Sequence, residues 1–157
     1  MAVYTNAEIA SKHLCSPYGG IRKSNRKKCI VLIISDDSVY TDTIKGNGHT
    51  IDYVGQGKTG DQTLTRNNKA LAETTWPVYV YHKVTDTHVY KYMGEYMVYD
   101  YTYARQSGRR VVMFTLDKVY RDITPMWVNL LILMCLVYSF FRLFVPSINW
   151  YYYYVSE

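Results

Sequence analysis

A chain of 157 residues has room for one ordinary domain and little more. Its net charge of +5 suits a partner such as nucleic acid or an anionic membrane. Its scattered Cys15, Cys29 and Cys135, with no C-x-x-C and no Cys/His cluster, exclude a disulfide framework and a structural zinc.

The N-terminal "MAVYTNAEIASKH" lacks a basic-then-apolar secretory signal, so a reducing compartment is expected. Residues 6–14 fit a short helix capped by Thr5 or Asn6. "RKSNRKK" (22–28) is a basic run that reads as a solvated loop or a phosphate-contacting arm, and its place just ahead of the first buried strand puts it at a mouth. "CIVLIIS" (29–35) is a continuous apolar run, as in a strand buried on both faces. Asp36 and Asp37 are adjacent, would point opposite ways on a strand, and read as a turn.

"HTIDYVG" (49–55) alternates and ends at glycine. "GQGKTG" (55–60) imitates the end of a phosphate loop, but Asp52 stands where the first glycine is required, so it reads as a flexible loop carrying one lysine. Residues 61–73 fit a second helix whose apolar stripe is Leu64, Asn68 and Leu71. An amide on a core-facing stripe needs buried partners. "PVYVYHKV" (77–84) alternates; "HVYKYMGEYMVYDYTYA" (88–104) is long, with a bulge or bend expected at Gly94; "RRVVMFTL" (109–116) follows a Gln106–Gly108 turn. Eighteen tyrosines, against four Phe and three Trp, suit half-wet strands or a surface that stacks flat ligands. Together these elements predict an α+β domain over 1–122, a strongly bent sheet or barrel with two short helices. No nucleophile elbow, H-E-x-x-H or paired histidines occur, so no catalytic residue, cofactor or metal is expected.

A second part begins near Thr124-Pro125 and is expected to span 123–157. All Lys/Arg but Arg142 and all acids but Glu157 lie before it, so the net charge belongs to the first part. The run from Met126 to Val145 has the roughly 17–25 mostly apolar residues of a membrane span. Trp127 and the Trp150 to Tyr154 cluster stand as interfacial belts, and Arg105, Arg109, Arg110, Lys118 and Arg121 set the first part on the cytosolic side. The expectation is a transmembrane tail anchor with the lipid bilayer as a partner, giving a membrane-associated protein whose N-terminal domain faces cytosol or nucleoplasm. A helix buried against the domain and a tail with no role of its own are the alternatives.

"YVGQGKTGDQTLTRNNKALAE" (53–73) resembles the SRA (SET and RING associated, YDG) domain, which carries Tyr-x-Gly, a glycine-rich loop and D-Q-x-L-x-x-x-N-x-A-L. Tyr53, Gly55, Asp61, Gln62, Leu64, Asn68, Ala70 and Leu71 stand in that register. "YGGIRKS" (18–24), "PVYVYHK" and "YKYMGEYMVYDYTYARQSGRRVVMFTL" are similar to the bacterial modules found before HNH nuclease domains. The resemblance implies a PUA-like shell and a non-catalytic module that recognises a modified cytosine in duplex DNA by base flipping. It implies Tyr53 as a stacking ring, Tyr40 as the second ring, Asp42 as reader of the cytosine amine, and Val54 and Gly55 beside them. Val54 replaces a threonine of eukaryotic members, whose long finger after the glycine-rich loop is also absent. Phosphates would be held by Arg22, Lys23 and Lys58, and Asp61, Gln62 and Asn68 would brace the loop. Two other readings stand beside this one: a membrane-anchored interaction protein keeping only the shell, and the specificity part of a restriction system whose nuclease partner is another chain.

Overall fold

The computed structural model describes residues 2–36, 41–85, 87–120, 128 and 130–141. Two compact units divide the chain, Met1–Tyr120 and Arg121–Glu157.

In the first unit, β1 (Val3–Thr5) leads into α1 (Asn6–His13). Thr5 is the N-cap: its hydroxyl accepts from the Glu8 N–H while the Glu8 carboxylate accepts from the Thr5 N–H, a reciprocal capping box. The hairpin β2 (Ile21–Ser24) and β3 (Cys29–Ser35) follows, then β4 (Thr43–Lys45) and β5 (Thr50–Val54). α2 (Arg66–Ala72), β6 (Val78–Lys83), β7 (Val89–Gln106) and β8 (Arg109–Lys118) complete the unit. One sheet takes the order β2-β3-β6-β7-β8-β5-β4, and β1 adds to β7. The β3–β6 pair is parallel; the others are antiparallel.

The sheet bends because β7 serves two neighbours in turn. Its first half pairs with β6 as far as Tyr96, and its second half pairs with β8 from Tyr96 to Gln106. A register slip falls beside Gly94, as expected, and a second falls between Val98 and Asp100. The fold encloses a core of Ile21, Ile30, Leu32, Ile34, Ile51, Tyr53, Leu71, Val78, Val80, Tyr96, Val112, Phe114 and Leu116. A smaller cluster of Ile9, Val31 and Tyr81 packs α1 on the other face of β3, so β3 is buried on both sides.

Two sequence expectations change. The second helix starts at Arg66 rather than at residue 61, because Gln62 N–H donates to the Arg110 carbonyl and Asp61 accepts from the Arg110 N–H, which holds 61–65 against β8. The expected transmembrane helix is also corrected. In the second unit the described helix covers 130–141, about 18 Å at 1.5 Å per residue. Bilayer hydrocarbon is about 30 Å thick. Among the described residues no helix is long and apolar enough to cross a membrane. Met126, Trp127, residues 142–145 and the cluster from Trp150 to Tyr154 lie outside the described residues. The bilayer partner and the membrane-associated location rested on that helix and lose their basis with it.

Candidate functional site

The first unit carries a cavity of ≈ 400 Å³ where four pieces of chain converge. Gly19 and Gly20 enter from the turn before β2, Ile33 and Ser35 from the end of β3, Asp42 from the residue just ahead of β4, and Tyr53, Gln56, Gly57 and Lys58 from β5 and the glycine-rich loop that follows it. The size lies within the ~300–1,000 Å³ typical of small-ligand sites.

Tyr53 is 3% exposed: it belongs to the core and also lines the cavity. A methyl group on Gly20 would sit 2.5 Å from the Tyr53 hydroxyl, so glycine is required there by close approach. Asp42 lines the same cavity from just ahead of β4, which pairs with β5. Its Oδ1 accepts from the Val54 N–H at 2.8 Å, which fixes the carboxylate. Burial pushes the Asp42 carboxyl up to about 6, against the opposing pull of the Val54 N–H and His82. Lys58 is exposed at the rim.

The glycine-rich loop is held from behind by amides. Asn68 is 4% exposed. Its Oδ1 accepts from the Gln56 N–H at 2.7 Å, and its Nδ2 donates to the Gln56 and Thr63 carbonyls at 2.9 and 3.0 Å. Gln62 donates through Nε2 to the Gly55 carbonyl at 2.6 Å and accepts from the Val112 N–H at 2.9 Å. A side chain on Gly55 would collide with both amides, 2.9 Å from Asn68 Oδ1 and 3.1 Å from Gln62 Oε1. Asp61 Oδ1 accepts from the Arg110 N–H at 2.8 Å. These bonds account for the asparagine on the apolar stripe of α2: the core it faces contains loop backbone.

Asp42, Tyr53 and Lys58 therefore share the cavity, with Gly55 in the loop behind it. The Val54 N–H holds Asp42, while its side chain is buried and is not among the lining residues. Tyr40 lies outside the described residues. Arg22 and Lys23 do not reach the cavity. Arg22 is 5% exposed, donating through Nε to the Gly19 carbonyl and through Nη1 to Asn6 Oδ1, both at 2.8 Å. It ties the Gly19 turn to α1, since a buried guanidinium needs acceptors and finds them there. Lys23 lies 5.2 Å from the centre of the Trp76 ring, beside a separate ≈ 250 Å³ cavity. The turn 25–28 is at the far end of the β2–β3 hairpin from the cavity, because the hairpin pairs Ile21 with Leu32 and closes at Ser24–Cys29. The basic run is thus not at the mouth.

Sequence reasoning passed over Ser35, Ile33 and Gln56. Gln56 stood between two glycines in "GQG", a signal of a side chain set into a backbone turn. Its amide is placed to accept from the Gly20 and Ile21 N–H groups at 2.9 and 2.6 Å, so it links the two glycine segments. Among the described residues no group of three His, Cys, Asp or Glu could hold a metal ion.

The comparisons with known proteins agree on the fold. A family profile described as "ScoMcrA-like, SRA domain" matches residues 2–134. The SUVH5 SRA domain in complex with hemimethylated CG DNA aligns with a TM-score of 0.61 and 24% identity, covering 75% of this chain and 86% of that one. The same domain with fully methylated CG DNA aligns at 0.57 and 25%, covering 73% and 82%. The sulfur-binding and SRA domains of ScoMcrA with phosphorothioated DNA align at 0.60 and 19%, covering 76% of this chain and 39% of that one. No curated protein matches the chain.

Proposed function

The chain belongs to the family of ScoMcrA-like SRA domains, and from that premise we propose that its first unit binds duplex DNA and reads a modified cytosine extruded into the ≈ 400 Å³ cavity. The reading is one of binding rather than catalysis. One observation carries it: Asp42, Tyr53 and Lys58, remote in function and chemistry, line a single cavity bounded by two glycine segments. The SRA domains of SUVH5 were solved on methylated CG DNA, which supports the ligand class.

Extrusion costs a few kcal/mol of stacking and pairing, which contacts inside the pocket must offset. Tyr53 and Ile33 supply apolar wall. Asp42, pinned through Oδ1 by the Val54 N–H, offers Oδ2 to an exocyclic amine such as that of cytosine. A keto group at the same place would meet carboxylate oxygen and be rejected. Lys58 at the rim takes a phosphate, a contact that positions the duplex without reading sequence. Asn68 and Gln62 keep the loop carbonyls and N–H groups engaged, so Gln56 and Lys58 are held in place before DNA arrives.

The test is a titration with duplexes identical except for one 5-modified cytosine, at two salt concentrations. The wild type favours the modified duplex. Asp42→Ala loses that preference and keeps most of its non-specific affinity. Lys58→Ala weakens all duplexes alike and lowers the salt slope by about 1. A wild type with equal affinity for both duplexes sinks the proposal.

A further inference from the structure

We infer that the inner face of the β7–β8 hairpin is a second DNA contact, taking the strand that flanks the extruded base; the inference rests on the reading just given. Beyond Tyr96, β7 has β8 on one side, and none of the described strands pairs with its other edge. The register slip between Val98 and Asp100 decides what this stretch displays. Val98 faces Leu116, but after the slip Tyr101 pairs with Phe114, Tyr103 with Val112 and Arg105 with Arg110. Paired residues point to the same face. Without the slip, Asp100, Thr102 and Ala104 would stand in those places. The bulge therefore exchanges an acid and two small residues for two tyrosines and an arginine.

Tyr101 and Tyr103 are 37% and 49% exposed, although their partners Phe114 and Val112 are buried in the core. The Arg110 guanidinium lies 5.1 Å from the centre of the Tyr103 ring. Arg105 and Arg110 are exposed as well. The face continues toward the cavity, because Phe114 pairs on its other side with Tyr53. The hairpin end is also tied to the cavity wall: Arg109 Nη1 donates to the Gly57 carbonyl at 2.7 Å, and the Arg110 N–H donates to Asp61.

Flat rings interleaved with guanidinium groups on a strand, beside a base pocket, match one ligand chemistry. Sugar and base faces rest on the rings, and phosphates sit on the guanidinium groups. An acidic protein segment adding a strand to the open β7 edge is the competing occupant.

The experiment measures affinity of the full chain for two modified duplexes, one just long enough to fill the cavity and one extended on both sides. The wild type binds the extended duplex more tightly. The double variant Arg105→Gln with Arg110→Gln, and separately Tyr103→Ala, lose about tenfold on the extended duplex. They change little on the short one and keep the ratio of modified to plain affinity. The double variant also lowers the salt slope by about 1 to 2. Tyr103→Phe, which keeps the ring, binds like the wild type. If the double variant and Tyr103→Ala bind the extended duplex as the wild type does, while Asp42→Asn loses the modified-base preference, the hairpin contact is wrong and the cavity reading stands. If the wild type binds neither duplex, both fall together.

Discussion

At the scale of the residue, Asp42 couples recognition to pH. Its carboxyl is raised by burial from an ordinary 3.8 to about 6, so the folded protein holds a proton that the unfolded chain would have released. Two effects of opposite sign follow. The carboxylate that accepts an amine dominates above about pH 6, so preference for the modified cytosine should fade as pH falls through 6. Stability should instead gain from Asp42 as pH falls from about 6 toward 4, because the folded state binds more protons there. His13 works against that gain, since burial lowers its pKa to about 4 and keeps it neutral in the fold. The comparison with Asp42→Asn isolates the aspartate: affinity ratios at pH 5 and 8 should differ for the wild type and be flat for the variant. Gly20 offers a second residue-level test. Gly20→Ala should cost about 1–3 kcal/mol of stability, through collision of the new methyl with the Tyr53 hydroxyl. The same change made in Tyr53→Phe should cost clearly less, because the next atoms stand at 3.7–3.8 Å. Equal melting shifts in both backgrounds would refute the collision.

At the scale of the element, α2 is a clamp more than a packing helix. It is short, Arg66–Ala72, and its two buried residues are Asn68 and Leu71. Leu71 enters the core while Asn68 holds the glycine-rich loop through two hydrogen bonds to Gln56 and the stretch after it through one to Thr63. Asn68→Ala should destabilise the first unit by about 1–3 kcal/mol, since Gln56 N–H and two carbonyls lose a buried partner. Thermal melting checks this, and an unchanged midpoint would show that the loop holds itself. The helix was legible from the 3.6-residue spacing, but its start was not. Residues 61–65 have helical pattern, yet the Gln62 N–H and the Asp61 carboxylate are claimed by Arg110 of β8, a partner nearly fifty residues away. The short strands β1, β2 and β4 escaped sequence reading for a related reason. With three or four residues each they carry too little alternation to register and exist because longer strands pair with them.

At the scale of the whole molecule, the first unit closes on itself before the second begins. Strand β8 ends at Lys118, and the Tyr120 hydroxyl reaches His49 at 2.8 Å. A fragment of residues 1–122 should therefore melt at the temperature of the first unit in the full chain and keep its DNA affinity; loss of cooperative melting would show that the remaining residues complete the fold. The sequence alone determined much of this protein. Local pattern placed the five long strands and both helices, because alternation, the unbroken apolar run of β3, a helix cap and 3.6-residue spacing are each carried by a short stretch of chain. The D-Q-x-L-x-x-x-N-x-A-L spacing pointed to the family and placed Asn68 inward. Only the tertiary structure decided which residues meet. It put Asp42 and Tyr53 in one cavity, sent Arg22 into the interior and the 25–28 turn to the far end of its hairpin, and brought Gln56 between two glycine segments. It also turned Tyr101, Tyr103 and Arg105 to one face through a single extra residue. Such facts depend on sheet order, register and bulges, where a shift of one residue reverses a side chain's face, and no short-range pattern in the sequence records them.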